Sequence, residues 1–456
     1  MLKIFSNSTK RESTPCYAAP KGDWLLGHFT TYAQNPLHFL SRCAQEYGDI
    51  VPLRFLSESV LFLNHPECIE EAFSRQNRTF MRKGKIFQSS VKSLLGNGLF
   101  LSEGKFYQQQ RTFAQPAFHK QAIAAYGRVM IDETNAVINT WQNGQVRDVY
   151  QDYITITRSI IAQTMFGVSL ESEFVEAFTE ALDATMNHFK ILNEELIVMP
   201  DWLPTPSNLR YRKIMQRVDK CIYDLLQQYQ NSEQSQGNFL DMFLQARTEG
   251  HSVTIQQLRD EIINIFLAGH ETTAIALTWI SSLLSQHPDV EAKLFEEVQT
   301  VLQGRIPTVS DLAQLSYTEA VVLETLRIYP PVWIMVRTAL EDTEILGHPV
   351  PKGMDVIACQ WTAHRNPRFF PKPDIFNPER WMDGLAKQLP IGAYFPFSLG
   401  GRVCLGKAFG MMELVLVLAT IVQKFQLKLI PDHSVEPFLS LTLRPKYGMK
   451  MMLSHR

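Results

Sequence analysis

Ten residues near the C-terminus, Phe397 to Gly406 (FSLGGRVCLG), set one cysteine, Cys404, among close-set glycines. An apolar run with helical spacing follows at once, Leu405, Phe409, Met412, Leu416 and Ile421. A sulfur at a helix start lies near free backbone N–H groups and the positive end of the helix dipole, which favour thiolate over thiol. Such a thiolate is a soft metal ligand. The structural alternative is a core cysteine in a Gly-rich turn, small, buried and inert. A second stretch able to do chemistry is AGHETT, residues 268–273, in the middle of the longest helical pattern. It puts an acid, Glu271, and a hydroxyl, Thr272, beside Gly269, and a glycine inside a helix costs up to ~1 kcal/mol against alanine. Taken singly, Glu271 reads as a solvated charge and Thr272 as a hydroxyl bonding back along its own helix.

Phe397-x-x-Gly400-x-Arg402-x-Cys404-x-Gly406 matches every fixed position of the haem-binding signature of the cytochrome P-450 monooxygenases. The chain resembles that family from about residue 20 onward, with the motifs in the family's order: AGHETT, Glu324-x-x-Arg327, Pro378-Glu379-Arg380 and the cysteine signature. The resemblance implies that Cys404 is the axial ligand of haem b (iron protoporphyrin IX), where a thiolate pushes electron density onto iron and favours O–O cleavage. Phe397 and Gly406 would complete the cradle, the glycines letting backbone approach a flat macrocycle. Arg402, Arg111 and Arg337 would hold its propionates by charge-assisted hydrogen bonds. Tyr107 stands where the family carries a tryptophan, and keeps a donor for the same contact.

The distal motif, by the same resemblance, makes Ala268 and Gly269 the room for bound oxygen, Thr272 the hydroxyl that meets it and Glu271 the proton relay; His270 is read as structural. Glu324 and Arg327, three apart on one helix face, can pair. With Arg380 they would lock the segment leading to Cys404, and removing Glu324 would leave a buried unpaired arginine at a cost of ~3–5 kcal/mol. The substrate pocket would be lined by Ile263, Phe266, Leu267, Ala268, Val332, Trp333, Ile334 and Leu441.

The activity implied is insertion of one oxygen atom of O2 into a hydrophobic molecule, such as a fatty acid, terpenoid or polyketide. Electrons would come from a separate ferredoxin, flavodoxin or diflavin reductase, since about fifty residues follow the cysteine, and Lys407 hints at the docking face. Alternatives within the same cofactor class are a peroxygenase or isomerase, or a haem-binding sensor without turnover. An intact Glu271–Thr272 pair argues for the monooxygenase.

The elements that must position these residues read mainly as helices, with a small β region from both ends of the chain: the resemblance implies the single haem domain, residues 21–456, after a lead-in of residues 1–20. Leu37–Tyr47 has helical spacing, Asp49–Phe55 and Ser59–Leu63 read as a strand pair, and a helix follows Pro66. Lys83–Gly104 resembles the family's first substrate-contacting loop. Ile123–Phe166 reads as helical, as does most of 170–230, broken by MPDWLPTPSN with prolines at 200, 204 and 206. Asn231–Gly237 reads as a polar connector. Thr254–Gln286 opens with a capping pair, Thr254 and Gln257, and stops before Pro288; at ~1.5 Å per residue it would cross the whole molecule.

The 456 residues carry a formal net charge of −2, which gives no bulk field for nucleic acid or anionic membrane. Six cysteines, at 16, 43, 68, 221, 359 and 404, form no CxxC pair and suggest a reducing, cytoplasmic compartment. The N-terminus holds no apolar run long enough for a membrane anchor or a signal peptide.

Overall fold

A computed structural model describes residues 18–85, 91–169, 172–194, 203–231, 237–249 and 253–456. The lead-in through residue 17, Ile86 and Phe87, Pro200 and the polar stretch 232–236 lie outside the described residues.

The N-terminal part holds α1 (Phe29–Gln34), α2 (Pro36–Glu46), the hairpin β1 (Ile50–Phe55) and β2 (Glu58–Leu63), α3 (Pro66–Glu70), β3 (Arg82–Lys83) and α4 (Lys92–Leu95). Helices α5 (Gly104–Ala114) and α6 (Lys120–Ile138), strand β4 (Val146–Asp148), and helices α7 (Val149–Ile161), α8 (Ser172–Glu194), α9 (Pro206–Asn231) and α10 (Phe239–Thr248) lead to α11 (Ile255–Gln286). After it come α12 (Pro288–Leu302), α13 (Ser316–Ile328), strands β5 (Ile334–Thr338), β6 (Thr343–Ile345), β7 (His348–Val350) and β8 (Asp355–Cys359), and the short α14 (Gln360–Ala363) and α15 (Leu385–Gln388). The chain closes with α16 (Lys407–Lys424), β9 (Phe425–Leu429), β10 (Pro437–Leu439), β11 (Leu443–Pro445) and β12 (Lys450–His455).

The fold is mainly helical with a small β region, as the sequence pattern implies. The larger sheet runs β1-β2-β8-β5-β3, with β2 and β8 parallel and the other neighbours antiparallel. A second sheet, β4-β12-β9, corrects one expectation: Ile123–Phe166 is not continuous helix. The chain turns after α6 at Gly144, whose φ of +75° suits glycine, so that β4 can pair with β12.

Helix α11 is the axis of the core. Thr254 caps it, its hydroxyl accepting from the Gln257 amide at 3.1 Å, and Pro288 follows its end. Between Gln257 and Leu284 every residue is buried except Ala268, Gly269 and Thr272. Trp279 stacks on Tyr329 with ring centroids 4.2 Å apart, and its indole N–H donates to the Leu443 carbonyl at 2.9 Å. Helix α16 is apolar nearly all round and buries twelve residues from Phe409 to Val422, each large aliphatic or aromatic side chain contributing roughly 1.5–3 kcal/mol.

Candidate active site

The segment ahead of α16 is shaped by backbone geometry. Gly400 has φ +60°, and a Cβ there would lie 2.0 Å from the Phe73 carbonyl oxygen, so only glycine lets the two strands of chain approach. The Cys404 amide donates to the Phe397 carbonyl at 2.8 Å, closing the loop on itself. Gly406 is the N-cap of α16, which begins at Lys407.

Cys404 is exposed, between half-buried Val403 and Leu405. Accessible surface here does not mean full hydration, because the surrounding protein still desolvates the sulfur. Burial pushes its pKa up, and the opposing influences of the Gly406 amide, Arg111, Lys83 and Lys407 do not reverse that. The helix-start argument for a thiolate is therefore outweighed by desolvation: protein groups alone leave a thiol, and a cation at the sulfur is needed to hold the charged form.

Three cations, Lys83, Arg337 and Arg402, lie near one another, and Lys83 also interacts with this sulfur. Arg337 is buried and its pKa falls to about 9, chiefly from burial and then from Arg402. Arg402 is lowered mainly by burial. Lys83 is driven well below its ordinary value by burial, with Arg337 and Arg402 adding to it and Cys404 acting against. Among the described residues none of the three forms an ion pair. Arg402 donates instead to the carbonyls of Met81, Leu99 and Ser102, and Arg337 to that of Val336. Buried like charges without a counter-ion are costly, so the site suits a dianion. No group of three or more His, Cys, Asp or Glu able to hold a bare metal occurs among the described residues. One thiol beside Lys83, with Arg337 and Arg402 close to that lysine, would fit a metal macrocycle that carries two carboxylates.

Tyr107 and Arg111 on α5 come to the same loop from outside. The Tyr107 hydroxyl donates to the Gly401 carbonyl and accepts from Arg111 Nη1, which also donates to the Val403 carbonyl at 3.0 Å. Both residues thus brace the cysteine loop's backbone. The Arg402 guanidinium lies over the Tyr107 ring, 3.7 Å from its centroid.

On α11 the residues of AGHETT separate. Ala268 and Thr272, one turn apart, face the open side, and the Thr272 hydroxyl donates back to the Ala268 carbonyl at 2.8 Å. Gly269 corrects an expectation: a Cβ there would meet Ile161 Cδ1 at 2.3 Å, so its missing side chain makes room for α7 rather than for oxygen. Glu271 is buried, its Oε1 accepting from Thr442 Oγ1 at 3.0 Å and lying 3.7 Å from Arg444 Nε. His270 is structural, its Nδ1 donating to the Phe266 carbonyl at 2.6 Å and its pKa lowered to about 4 by burial.

The apolar lining residues also divide. Val332 is exposed and Ile334 and Leu441 are half-buried, open to space. Ile263, Phe266, Leu267 and Trp333 pack into the core instead. At about 100° per residue, Ile263 and Phe266 fall on the side of α11 opposite Ala268 and Thr272, where Phe266 meets Phe174 and Phe178. The Trp333 indole is tied to the Ser440 carbonyl at 3.0 Å.

Glu324, Arg327 and Arg380 are brought together. Glu324 Oε1 accepts from Arg327 Nη2 and Arg380 Nε, both at 2.9 Å, while Oε2 accepts from Arg327 Nε at 2.9 Å and the Trp381 indole at 2.8 Å.

Several participants were not singled out from sequence. Lys83 lay unremarked at the edge of its loop. Asp260, Glu261 and Asn264 accept from the amides of Asn97, Leu99 and Phe100, fixing that loop against α11. Asp260, Glu261 and Asn264, within about one turn where the helix passes into its apolar stretch, were the available signal. Thr442 and Arg444 carried none, since only the fold brings them to Glu271.

An accessible cysteine on a glycine-shaped loop, an Ala–Thr face left open on the long helix and a cluster of cations without ion pairs among the described residues are the features that the haem-thiolate oxygenases combine. The cytochrome P450 family model matches residues 18–452, and the chain belongs to that family and is a monooxygenase of it. It is 34% identical to cyclooctatin synthase of Streptomyces melanosporofaciens, covering 94% of each chain. It is 32% identical to cyclooctat-9-en-7-ol 5-monooxygenase of the same organism, over 91% of this chain and 90% of the relative. With pentalenene oxygenase of Streptomyces avermitilis it shares 30% identity over 96% and 97%. Membership implies a haem held by a cysteine thiolate and a supply of electrons from a redox partner. Among the described residues no helix is long and apolar enough to cross a membrane.

Proposed function

We propose that the enzyme inserts one oxygen atom of O2 into a cyclic terpenoid, by hydroxylation or epoxidation, with Cys404 as the axial haem ligand. The observation that carries the ligand assignment is the accessible sulfur of Cys404, which interacts with half-buried Lys83, itself close to the buried Arg337 and Arg402; none of the three cations forms an ion pair among the described residues. Arg337, Arg402 and Lys83 would bind the propionates, and Tyr107 and Arg111 would hold the loop that presents the thiolate. The haem, when bound, supplies the redox chemistry that activates oxygen. Thr272 offers a hydroxyl oxygen on the open face, and Glu271, one residue back, holds and releases the protons that the reaction consumes. Burial raises the Glu271 pKa, while Arg444 and Thr442 act to lower it. That balance suits a group required in both charge states.

The substrate class rests on the relatives named for a cyclic alkene and a cyclic alkenol, and on Val332, Ile334, Leu441 and Ala268 as the accessible apolar surface. Electrons would arrive from a ferredoxin, flavodoxin or diflavin reductase in the cytoplasm, where the five described cysteines, all unpaired, stay reduced.

The optical spectrum of the dithionite-reduced protein with carbon monoxide tests the assignment in wild type and Cys404→Ser. A strongly red-shifted Soret band present only in wild type supports it. A band typical of histidine ligation in both proteins would overturn it. Titration with cyclic terpenes, fatty acids and macrolactones, read as displacement of the water ligand, tests the substrate class; a response confined to the linear acids would refute the terpenoid reading.

A further inference from the structure

Glu271 has a companion that the cysteine and distal motifs do not predict. Among the described residues its buried Oε2 has no hydrogen-bond partner, and neither have Nε and Nη2 of Arg444. Unpartnered buried polar atoms are uncommon and call for an explanation, and here three of them belong to one acid and one base. Arg444 Nε stands 3.7 Å from Glu271 Oε1, an ion-pair distance too long for a hydrogen bond. The other end of the guanidinium, Nη1, donates to Asp183 Oδ1 at 3.3 Å, and that carboxylate is 59% exposed.

A modest rotation of the Arg444 side chain would turn Nε and Nη2 onto the two oxygens of Glu271 as a bidentate pair, satisfying all three orphans at once. The structure shows the guanidinium bonded toward solvent-facing Asp183 on α8, and the rotated arrangement would bond it to buried Glu271 on α11. The frame around them is fixed. Thr442 and Arg444, two residues apart, project to the same side of the chain. Between them, Leu443 is held by the Trp279 indole on its carbonyl at 2.9 Å and by its own amide on the Pro331 carbonyl at 2.8 Å.

We propose that Arg444 is the positioning residue for Glu271, exchanging between Asp183 and Glu271 and thereby setting whether the buried carboxyl holds its proton. This rests on the reading of Glu271 as the proton-handling group. With Arg444 on Asp183, Glu271 holds its proton more tightly, because burial raises its pKa and the guanidinium opposes this only from 3.7 Å. When Arg444 engages Glu271, that proton is given up to the oxygen atom that the reaction releases as water, and the guanidinium compensates the carboxylate that remains. When Arg444 returns, the carboxylate takes a proton back from water at the exposed Asp183 end. The charged and titratable groups facing Glu271 are Arg444 of β11, Asp183 of α8 and Tyr150 of α7. Their directions agree: Arg444 lowers the Glu271 pKa and Asp183 raises it.

The test uses the haem-loaded protein at rest. The infrared carboxyl band of Glu271, identified by its loss in Glu271→Gln, is followed against pH. Arg444→Ala should raise its midpoint by about one pH unit or more, and Asp183→Asn, which frees Arg444, should lower it. Arg444→Lys should fall between wild type and alanine. In a reconstituted system, product formed per electron pair should drop about tenfold in Arg444→Ala and recover in part in Arg444→Lys. A midpoint unmoved in all three variants, with Glu271→Gln still costing product, overturns the positioning role alone. Glu271→Gln without effect on product per electron pair overturns the proton-handling reading and this proposal with it.

Discussion

The hydroxyl of Tyr107 donates to the backbone carbonyl of Gly401 across 2.8 Å, so α5 is fastened to the cysteine loop through a side chain that stands in for the family's tryptophan. Arg111 depends on the same oxygen, donating to it at 2.9 Å. Tyr107→Phe keeps the ring against Arg402 and removes only the hydroxyl. It is expected to cost about 1 kcal/mol in denaturant unfolding, the net worth of one such hydrogen bond, and to speed haem loss to a scavenger apoprotein. Unchanged stability and haem retention would show that the loop holds its shape without this anchor.

Glu324 is fully buried and neutralises two guanidiniums, those of Arg327 and Arg380. Glu324→Ala should cost ~3–5 kcal/mol, since it strands both charges. Glu324→Gln, which keeps the shape, should cost less but still fail to hold haem. Urea unfolding and the haem-to-protein absorbance ratio read the two effects separately. An alanine variant within ~1 kcal/mol of wild type would contradict the lock.

Much of this arrangement was legible because its residues sit in fixed linear spacings. The cysteine loop, the Glu324–Arg327 pair and the capped start of α11 each lie within a few residues of sequence, where local geometry decides. The break in the Ile123–Phe166 pattern was not, because β4 is created by pairing with β12 some three hundred residues on. Side-chain direction on α11 was likewise hidden: the apolar residues Ile263 and Phe266 suit either a pocket or a core, and only the packing of Phe174 and Phe178 settles which face is which. Lys83 and Arg444 gain their meaning from the charges around them, and those neighbours come from distant segments.

Glu261 offers a test of the loop above the site. Its Oε2 accepts from the Leu99 amide at 3.0 Å, and burial pushes its pKa up to about 8, with neighbouring Asp260 adding and the Leu99 N–H opposing. A carboxyl whose pKa is raised in the folded state favours the folded state when neutral. Its contribution is therefore fully present below the ordinary carboxyl value near 4.5 and is lost as pH rises through about 8. Glu261→Gln cannot ionise, so its stability should fall less than that of wild type over this window. Denaturant unfolding from about pH 5 to pH 9, with exchange of the Leu99 amide, measures both curves. Parallel curves would mean that Glu261 is not the titrating group.

Gly269 separates two roles by a substitution that helix propensity favours. Alanine in a helix interior is better than glycine by up to ~1 kcal/mol, yet a Cβ at 269 would sit 2.3 Å from Ile161 Cδ1. Overpacking of this kind typically costs ~1–3 kcal/mol, so Gly269→Ala should be destabilising on balance. The offending atom is the end of a flexible side chain, and Ile161→Val removes it. The double variant Gly269→Ala/Ile161→Val should then recover most of the loss, with a coupling energy of about 0.5 kcal/mol or more. If the glycine instead served the open face of α11, the alanine variant would keep its stability, lose product per electron pair, and gain nothing from the change at Ile161.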